Sequence, residues 1–428
     1  MATSNYGEKL DPYRKLKSPL GVKGVRQSVV VTNNPSTIDQ NQQLLVSFPN
    51  LGANDVIVPG TVRLAFTITL VSTDEDRTIV KNIGRAVVKK TTIKISGNEV
   101  MSIDDSDVYH CYWDLWKTSQ ERKNAQYQGI DTTTNQNATR LRLAANNGVR
   151  PAADVAISDA YGNRFYVPLD FELLETHMPF YQSALSDRLE YELTFNDYSR
   201  VIRASAASSY TIDNISLEYD MFTLPELARM IRNQYSSRMA ILYDRILRHR
   251  KITRDKSDTL WNININVPAR SMKGILMLFE SPHADFQRDT ETFYNPKITK
   301  VEVTIEGVPN QLYSQGMRAY QQWDEARKLF ASGNKKHPKV AMVAKDLNLA
   351  DVSLAEYLTS KYALWLDLRS TDDEELHGNG RRVENASEGI TLQITKQAEA
   401  AGPLNIYIYL IIDAQINIED GRFVAALY

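Results

Sequence analysis

Two stretches of this chain, 210 residues apart, carry the same punctuation. Set "TTIKISGNEVMSIDDSDVYHCYWDLWKT" beside "TKVEVTIEGVPNQLYSQGMRAYQQWDEARK". Gly97 falls on Gly307 (307 − 97 = 210), and Trp113-Asp114 falls on Trp323-Asp324 (323 − 113 = 210). Ile93 and Ile95 fall on Val303 and Ile305 at the same offset, so strand phase is kept. Further segments recur in the same order: "FYVPLDFELL" (165–174) with "YALWLDLRS" (362–370), "LEYELTFN" with "ITLQITKQ", and "NISLEYDMF" with "LNIYIYLII". Half of 428 is 214, so the repeat halves the molecule. A chain this long also exceeds the ~250–300 residues at which one core stops growing. Two similar domains in tandem are expected.

Each half is built from strands. In "RLAFTITLV", Leu64, Phe66, Ile68 and Leu70 alternate with Arg63, Ala65, Thr67 and Thr69. In "LNIYIYLIIDAQINIE", every even position from Leu404 to Ile418 is apolar. Successive strand side chains point to opposite faces, so each run has a core face and a more polar one, the mark of antiparallel sheets. Short helices are expected over "DVYHCYWDLWKT" and "GMRAYQQWDEARKLF". A longer one is expected over 223–254, where Thr223 precedes Pro225 and Glu226 as a helix start. The polar, turn-rich segment 119–162 reads as an exposed functional loop. The expected class is all-β: two tandem antiparallel eight-stranded jelly rolls, with short helices in loops and a helical connector. The boundaries are a basic N-terminal arm (1–27), a first jelly roll (28–222), the connector (223–254) and a second jelly roll (255–428).

Chemistry is sparse. Asp104, Asp105, Asp107, His110 and Cys111 crowd together, but the second copy has Ser314, Gln315, Met317, Tyr320 and Gln321 in their place. A metal or catalytic cluster would keep its ligands. The aspartates are therefore read as a helix start near the positive end of the helix dipole, and Cys111 as a buried structural thiol. Six histidines are scattered without an H-x-H or H-E-x-x-H pattern, and no nucleophile elbow or phosphate-binding glycine loop occurs. "DDEE" (372–375) reads as a solvated loop. No catalytic, metal or cofactor site is expected. A single cysteine suits assembly in a reducing compartment. No apolar run suggests a signal peptide or a membrane span.

Net charge is −2, so any polyanion contact must be local. The arm supplies one candidate: Lys9, Arg14, Lys15, Lys17, Lys23 and Arg26 stand against Glu8 and Asp11, or +6 − 2 = +4. Such an arm can clasp a neighbouring subunit or touch nucleic acid.

The residues of 81–130, "KNIGRAVVKKTTIKISGNEVMSIDDSDVYHCYWDLWKTSQERKNAQYQGI", resemble the double jelly-roll major capsid proteins of Polinton/Maverick elements and the related adintoviruses. So do "VPLDFELLETHMPFYQSALSDRLEYELTFNDYSRVI" (167–202) and "LARMIRNQYSSRMAILYDRILRHRKI" (227–252). The resemblance implies a structural capsid protein of the adenovirus hexon lineage, located in the virion and not an enzyme. Its homotrimers would form pseudo-hexagonal capsomers that tile an icosahedral shell around a double-stranded DNA genome. Implied partners are neighbouring capsomers, penton and minor capsid proteins, with the arm at the inner face near DNA or protein. The other class consistent with the residues is a tandem jelly-roll carbohydrate-binding module, with loop aromatics and Asp105 holding sugar or Ca²⁺. The lack of a secretion signal counts against it. A cupin-type enzyme lacks its metal-ligand pair.

Overall fold

The computed structural model describes residues 25–427 apart from 50, 59, 72–77, 118–120, 123–124, 131–163, 170, 172–187, 204–208, 224, 237–238, 283–287, 331–351, 372–376 and 385–388. Eight strands form a first roll: β1 (Val25–Thr32), β2 (Gln43–Ser47), β3 (Arg63–Val71), β4 (Val88–Ile95), β5 (Asn98–Asp104), β6 (Arg164–Pro168), β7 (Leu189–Phe195) and β8 (Ser209–Thr223). Eight more form a second: β9 (Met239–Asp255), β10 (Leu260–Ile265), β11 (Ala269–Glu280), β12 (Ile298–Ile305), β13 (Val308–Pro309), β14 (Ala363–Asp367), β15 (Ile390–Lys396) and β16 (Pro403–Glu419).

The hydrogen-bonded order is β1-β8-β3-β6 facing β5-β4-β7-β2 in the first roll, and β9-β16-β11-β14 facing β10-β15-β12-β13 in the second. In chain order within each roll, strands one, eight, three and six make one sheet, and strands two, seven, four and five make the other. That interleaving is the jelly-roll winding, and it occurs twice. The two jelly rolls expected from the sequence are present. The recurring segments sit at equivalent places, β6 with β14, β7 with β15 and β8 with β16.

Repeat and geometry meet most closely at the fourth strand. The β4–β5 hairpin turns through Ser96 and Gly97 (φ 55° and 73°), with Ile95 opposite Asn98. The β12–β13 hairpin turns through Glu306 and Gly307 (φ 50° and 78°), with Ile305 opposite Val308. Two-residue hairpins want positive φ at both central residues, because that twist matches the strands, and glycine meets the demand without a Cβ clash.

The rolls are not separate beads. Leu247 on β9 bridges Ser102 on β5 in parallel, which joins β14-β11-β16-β9 to β5-β4-β7-β2 in one sheet across both rolls. Burial follows from that. β7 and β10 alternate as the sequence implies, but almost all of β16 is buried on both faces. Its even positions face the second roll's own core: Ile406 pairs with Phe279, whose ring stacks on Trp261 of β10. Its odd positions face the first roll, where the Tyr409 hydroxyl donates to the Asp105 carbonyl at 2.8 Å and its ring lies 5.1 Å from Tyr109.

The helical connector is corrected in its second half. Helix α2 of the connector (Pro225–Ser236) is short and gives way to β9, which pairs with β16 from Met239↔Ile418 to Asp255↔Pro403 with one register shift at His249. Leucine and arginine favour helix locally, and Leu242 and Ile246 have helical spacing. A full-length partner strand outweighs that preference, since propensity is only a weak prior. The arm is also shorter than expected, because residues 25–27 already belong to β1 and pair with β8. Among the described residues, no helix is long and apolar enough to cross a membrane.

Candidate functional site

The densest polar chemistry lies where the rolls meet, around helix α1 (Ser106–Leu115), which follows β5. The three aspartates stand at its start. Asp107 falls in its first turn, near the positive end of the dipole as expected, but Asp105 takes φ 47° and its side chain makes no cap hydrogen bond. Arginines hold them. Arg248 of β9 reaches Asp105 at 2.8 Å and Asp104 at 3.4 Å, and Lys90 lies 3.5 Å from Asp104. Asp107, 1 % exposed, takes Arg200 at 3.0 Å and Arg288 at 2.7 Å. Both arginines approach Glu280 at 3.5 Å, and the Tyr407 hydroxyl donates to Glu280 at 2.8 Å. Two carboxylates thus face two guanidiniums, one from each roll, which is the pairing that buried charge requires. Burial, together with the neighbouring Asp107 charge, pushes the Asp105 carboxyl above its ordinary pKa against the pull of Arg248.

Further along α1, buried Asp114 accepts from Asn82 (2.9 Å) and Gln128 (2.5 Å) and pairs with Lys117 (2.8 Å) and Arg85 (3.4 Å). Burial alone would raise this carboxyl, but Lys117 and Arg85 outweigh it and hold it below the usual range. Cys111 is buried among these groups, and burial drives its thiol far up, away from reactivity.

The far side of α1 is aromatic. It meets α3 (Ala319–Phe330), the helix after β13. Trp116 stacks on Trp323 (5.7 Å) and Phe330 (5.3 Å), and Tyr112 lies edge-on to Phe293 (4.9 Å) and Phe330 (5.0 Å). Trp113 meets Phe330 at 4.5 Å. The helix α4 (Leu354–Thr359) backs this cluster through Tyr357 against Trp323. Of the repeat pairs, Gly97 and Gly307 play one part. Asp114 is buried, whereas Asp324 is exposed.

A second cluster was not visible in the sequence. Asp244 of β9, Asp413 of β16 and His377 each bring one ligand atom within 4.8 Å of the others. The three are 133 and 36 residues apart (377 − 244 and 413 − 377), so no spacing motif could flag them. The Lys273 ammonium lies 2.5 Å from Asp244 and 3.1 Å from Asp413, so an internal cation already serves these carboxylates. His377 Nδ1 stands 3.1 Å from Asp413.

Of the arm cations, Lys9, Arg14, Lys15, Lys17 and Lys23 lie outside the described residues. So do "DDEE" and residues 131–163, most of the expected functional loop. Arg26 is not a free arm residue: it sits in β1, ion-paired to Asp220 and over the Phe222 ring. β1 is an edge strand with Val30 64 % exposed, beside an open groove lined by Thr61, Arg63, Tyr127 and Tyr166. Arg63 there stacks over Tyr166 at 4.1 Å.

No protein-family model matches this chain, and no curated protein matches it. Solved structures do. It is similar to the PBCV-1 virus capsid (12 % identity, 96 % of this chain and 98 % of that one, TM-score 0.57). It is also similar to the Faustovirus major capsid protein (9 %, 94 % and 92 %, 0.55) and to the Sputnik virophage structure (12 %, 96 % and 89 %, 0.55). At such identities the shared property is the fold, a double jelly roll over nearly the whole of each chain.

Proposed function

We propose that this chain is a structural major capsid protein, with self-assembly as its activity and no catalysis of a substrate. The observation that carries the reading is the double jelly roll, matched end to end, with little of either chain left over, by two proteins whose names place them in viral capsids. The junction supports it physically. A continuous sheet, a paired ionic cluster and an aromatic stack hold the two rolls in one orientation, as a tile under lateral load requires. In this reading three chains give six rolls, a pseudo-hexagonal capsomer that can pave an icosahedral facet around double-stranded DNA. The finer assignment to the Polinton/adintovirus type rests on the sequence blocks given above. The working units are the two jelly rolls, with α2 between them. The edge strand β1 and its groove are surfaces for neighbouring subunits, and the arm meets DNA or protein at the inner face. Penton and minor capsid proteins would complete the shell.

Light scattering on the purified chain tests this. A trimer reads three times 48.6 kDa, or 145.8 kDa, and should persist on dilution. A stable monomer without shells by electron microscopy would move the assignment to a carbohydrate-binding module.

A further inference from the structure

The Lys273 cluster has the layout of a self-forming covalent cross-link. Asp244 on β9 and Asp413 on β16 are direct cross-strand partners, so two carboxylates face each other on one side of the sheet. Like charges placed this way repel. Lys273 comes from β11, on the other side of β16. It is the extra residue of a bulge, between the pairs Met272↔Ile412 and Gly274↔Ile411. A bulge re-aims one side chain, and this one sends the amine across β16 to Asp244. Nζ ends 2.5 Å from a carboxylate oxygen of Asp244 and 3.1 Å from one of Asp413.

The surroundings bury most of the cluster and fix the second carboxylate. Side-chain exposures are 3 % for Asp413, 13 % for Lys273 and 20 % for Asp244. Ser271 donates to the far oxygen of Asp413 at 2.5 Å, and the Gly380 N–H donates to Ser271 at 2.8 Å. The loop 377–380 lies flat on β11, since a Cβ on Gly380 would stand 2.5 Å from the Met272 backbone. His377 closes the near side at 3.1 Å from Asp413. An amine pressed on one carboxyl, a second, buried carboxyl poised to carry protons, and a fixed strand frame favour amide condensation.

We propose that Lys273 and Asp244 join through an intramolecular amide bond, with Asp413 as the proton carrier. The ammonium first passes one proton to the Asp244 carboxylate, leaving a neutral amine and a carboxylic acid. The amine then attacks Cγ of Asp244 and forms the C–N bond. Asp413 takes a second proton from that nitrogen and delivers it to the hydroxyl of the tetrahedral intermediate. The C–O bond breaks, one water leaves, and Asp413 is a carboxylate again. The third proton stays on the amide nitrogen, and no oxidant or co-reactant is needed. The bond staples β9 to β11 over β16, in a chain whose one cysteine cannot form an internal disulfide. It constrains the 29-residue span between the linked positions (273 − 244).

Intact-mass spectrometry of the denatured full chain decides. The expected mass is about 18 Da, one water, below that of the sequence, with proteolysis releasing a branched peptide that joins the Lys273 and Asp244 segments. Lys273→Arg, which keeps the charge, and Asp244→Ala should return the full mass. A folded wild-type chain at its sequence mass would reduce the cluster to an ion pair and overturn the proposal. So would a branch at other residues. Asp413→Asn tests the proton carrier, and undiminished cross-linking would remove that role. The wild-type mass and peptide map stand even if this variant fails to fold.

Discussion

Helices α1 and α3 occupy the same place in the two jelly rolls, each following the hairpin at Gly97 or Gly307, yet they live in different surroundings. In α1, Ser106, Asp107, Val108, Tyr109, Cys111, Tyr112, Asp114 and Leu115 are all buried. In α3, only Gln322, Ala326 and Phe330 are. The first helix is a wedge between the rolls, and the second covers one side of it. The repeat therefore sets where a helix goes, while docking sets which side chains it must carry. The carboxylates at the start of α1 meet arginines of the second roll, Asp104 and Asp105 with Arg248 and Asp107 with Arg288. At the start of α3 stand Ala319, Tyr320 and Gln321, all exposed or half-buried and none of them a carboxylate.

That contrast can be broken most sharply at Asp107. Asp107→Ala leaves buried Arg288 and half-buried Arg200 with Glu280, at 3.5 Å, as their one shared carboxylate and should cost about 3–5 kcal/mol, read from urea midpoints at fixed protein concentration. A loss under about 1 kcal/mol would mean the junction is not held by charge. Trp116→Ala opens the stack between α1 and α3 and should cost a similar ~3–5 kcal/mol. Tyr320→Ala, on the open face of α3 at 74 % exposure, should change stability by less than about 0.5 kcal/mol. Equal effects from these two substitutions would erase the wedge-and-cover distinction.

The hairpins test the opposite side of the comparison, where the halves should agree. Neither Gly97 nor Gly307 has an atom within 4 Å of its added Cβ, so Gly97→Val and Gly307→Val meet backbone strain alone, about 1–3 kcal/mol each. Costs differing severalfold in calorimetry would show that the turns are not equivalent. The smallest effect is pH-dependent. The Asp114 carboxyl is depressed in the fold, so its contribution is fully present above the ordinary value of 3.8 and is lost as pH falls through the lower folded value. Asp114→Asn should flatten the acid limb of a stability–pH curve in that window, and an unchanged limb would remove the assignment. Asp324→Ala should alter stability by no more than about 0.5 kcal/mol at any pH.

Much of the architecture was legible from residues alone. Alternation along β3 and β16 gave strands, the 210-residue repeat gave two rolls, and the repeated glycines marked one position in each. Helix α1 begins at Ser106, one residue before the segment expected to be helical, and α3 begins at Ala319, within its own. Three things were hidden. β9 looked helical because its spacing suits both periods, and its partner β16 lies some 150 residues further along (403 − 255 = 148). The odd face of β16 looked like a solvent face because tyrosine, aspartate and asparagine carry polar atoms, although Tyr407 and Tyr409 are fully buried. The Lys273 cluster left no trace, since a bulge and three distant strands assemble it.

By itself, then, the sequence determined what depends on neighbours a few residues away: strand phase, turn chemistry, and the doubling of one fold along the chain. Periodicity and positive-φ glycines act locally, so one chain displays them without folding. Only the tertiary structure decided which polar faces are buried, which helix is the wedge, and which charges share a partner. Those outcomes depend on desolvation and on pairing between residues far apart in sequence, and both are settled only when the two rolls close on each other.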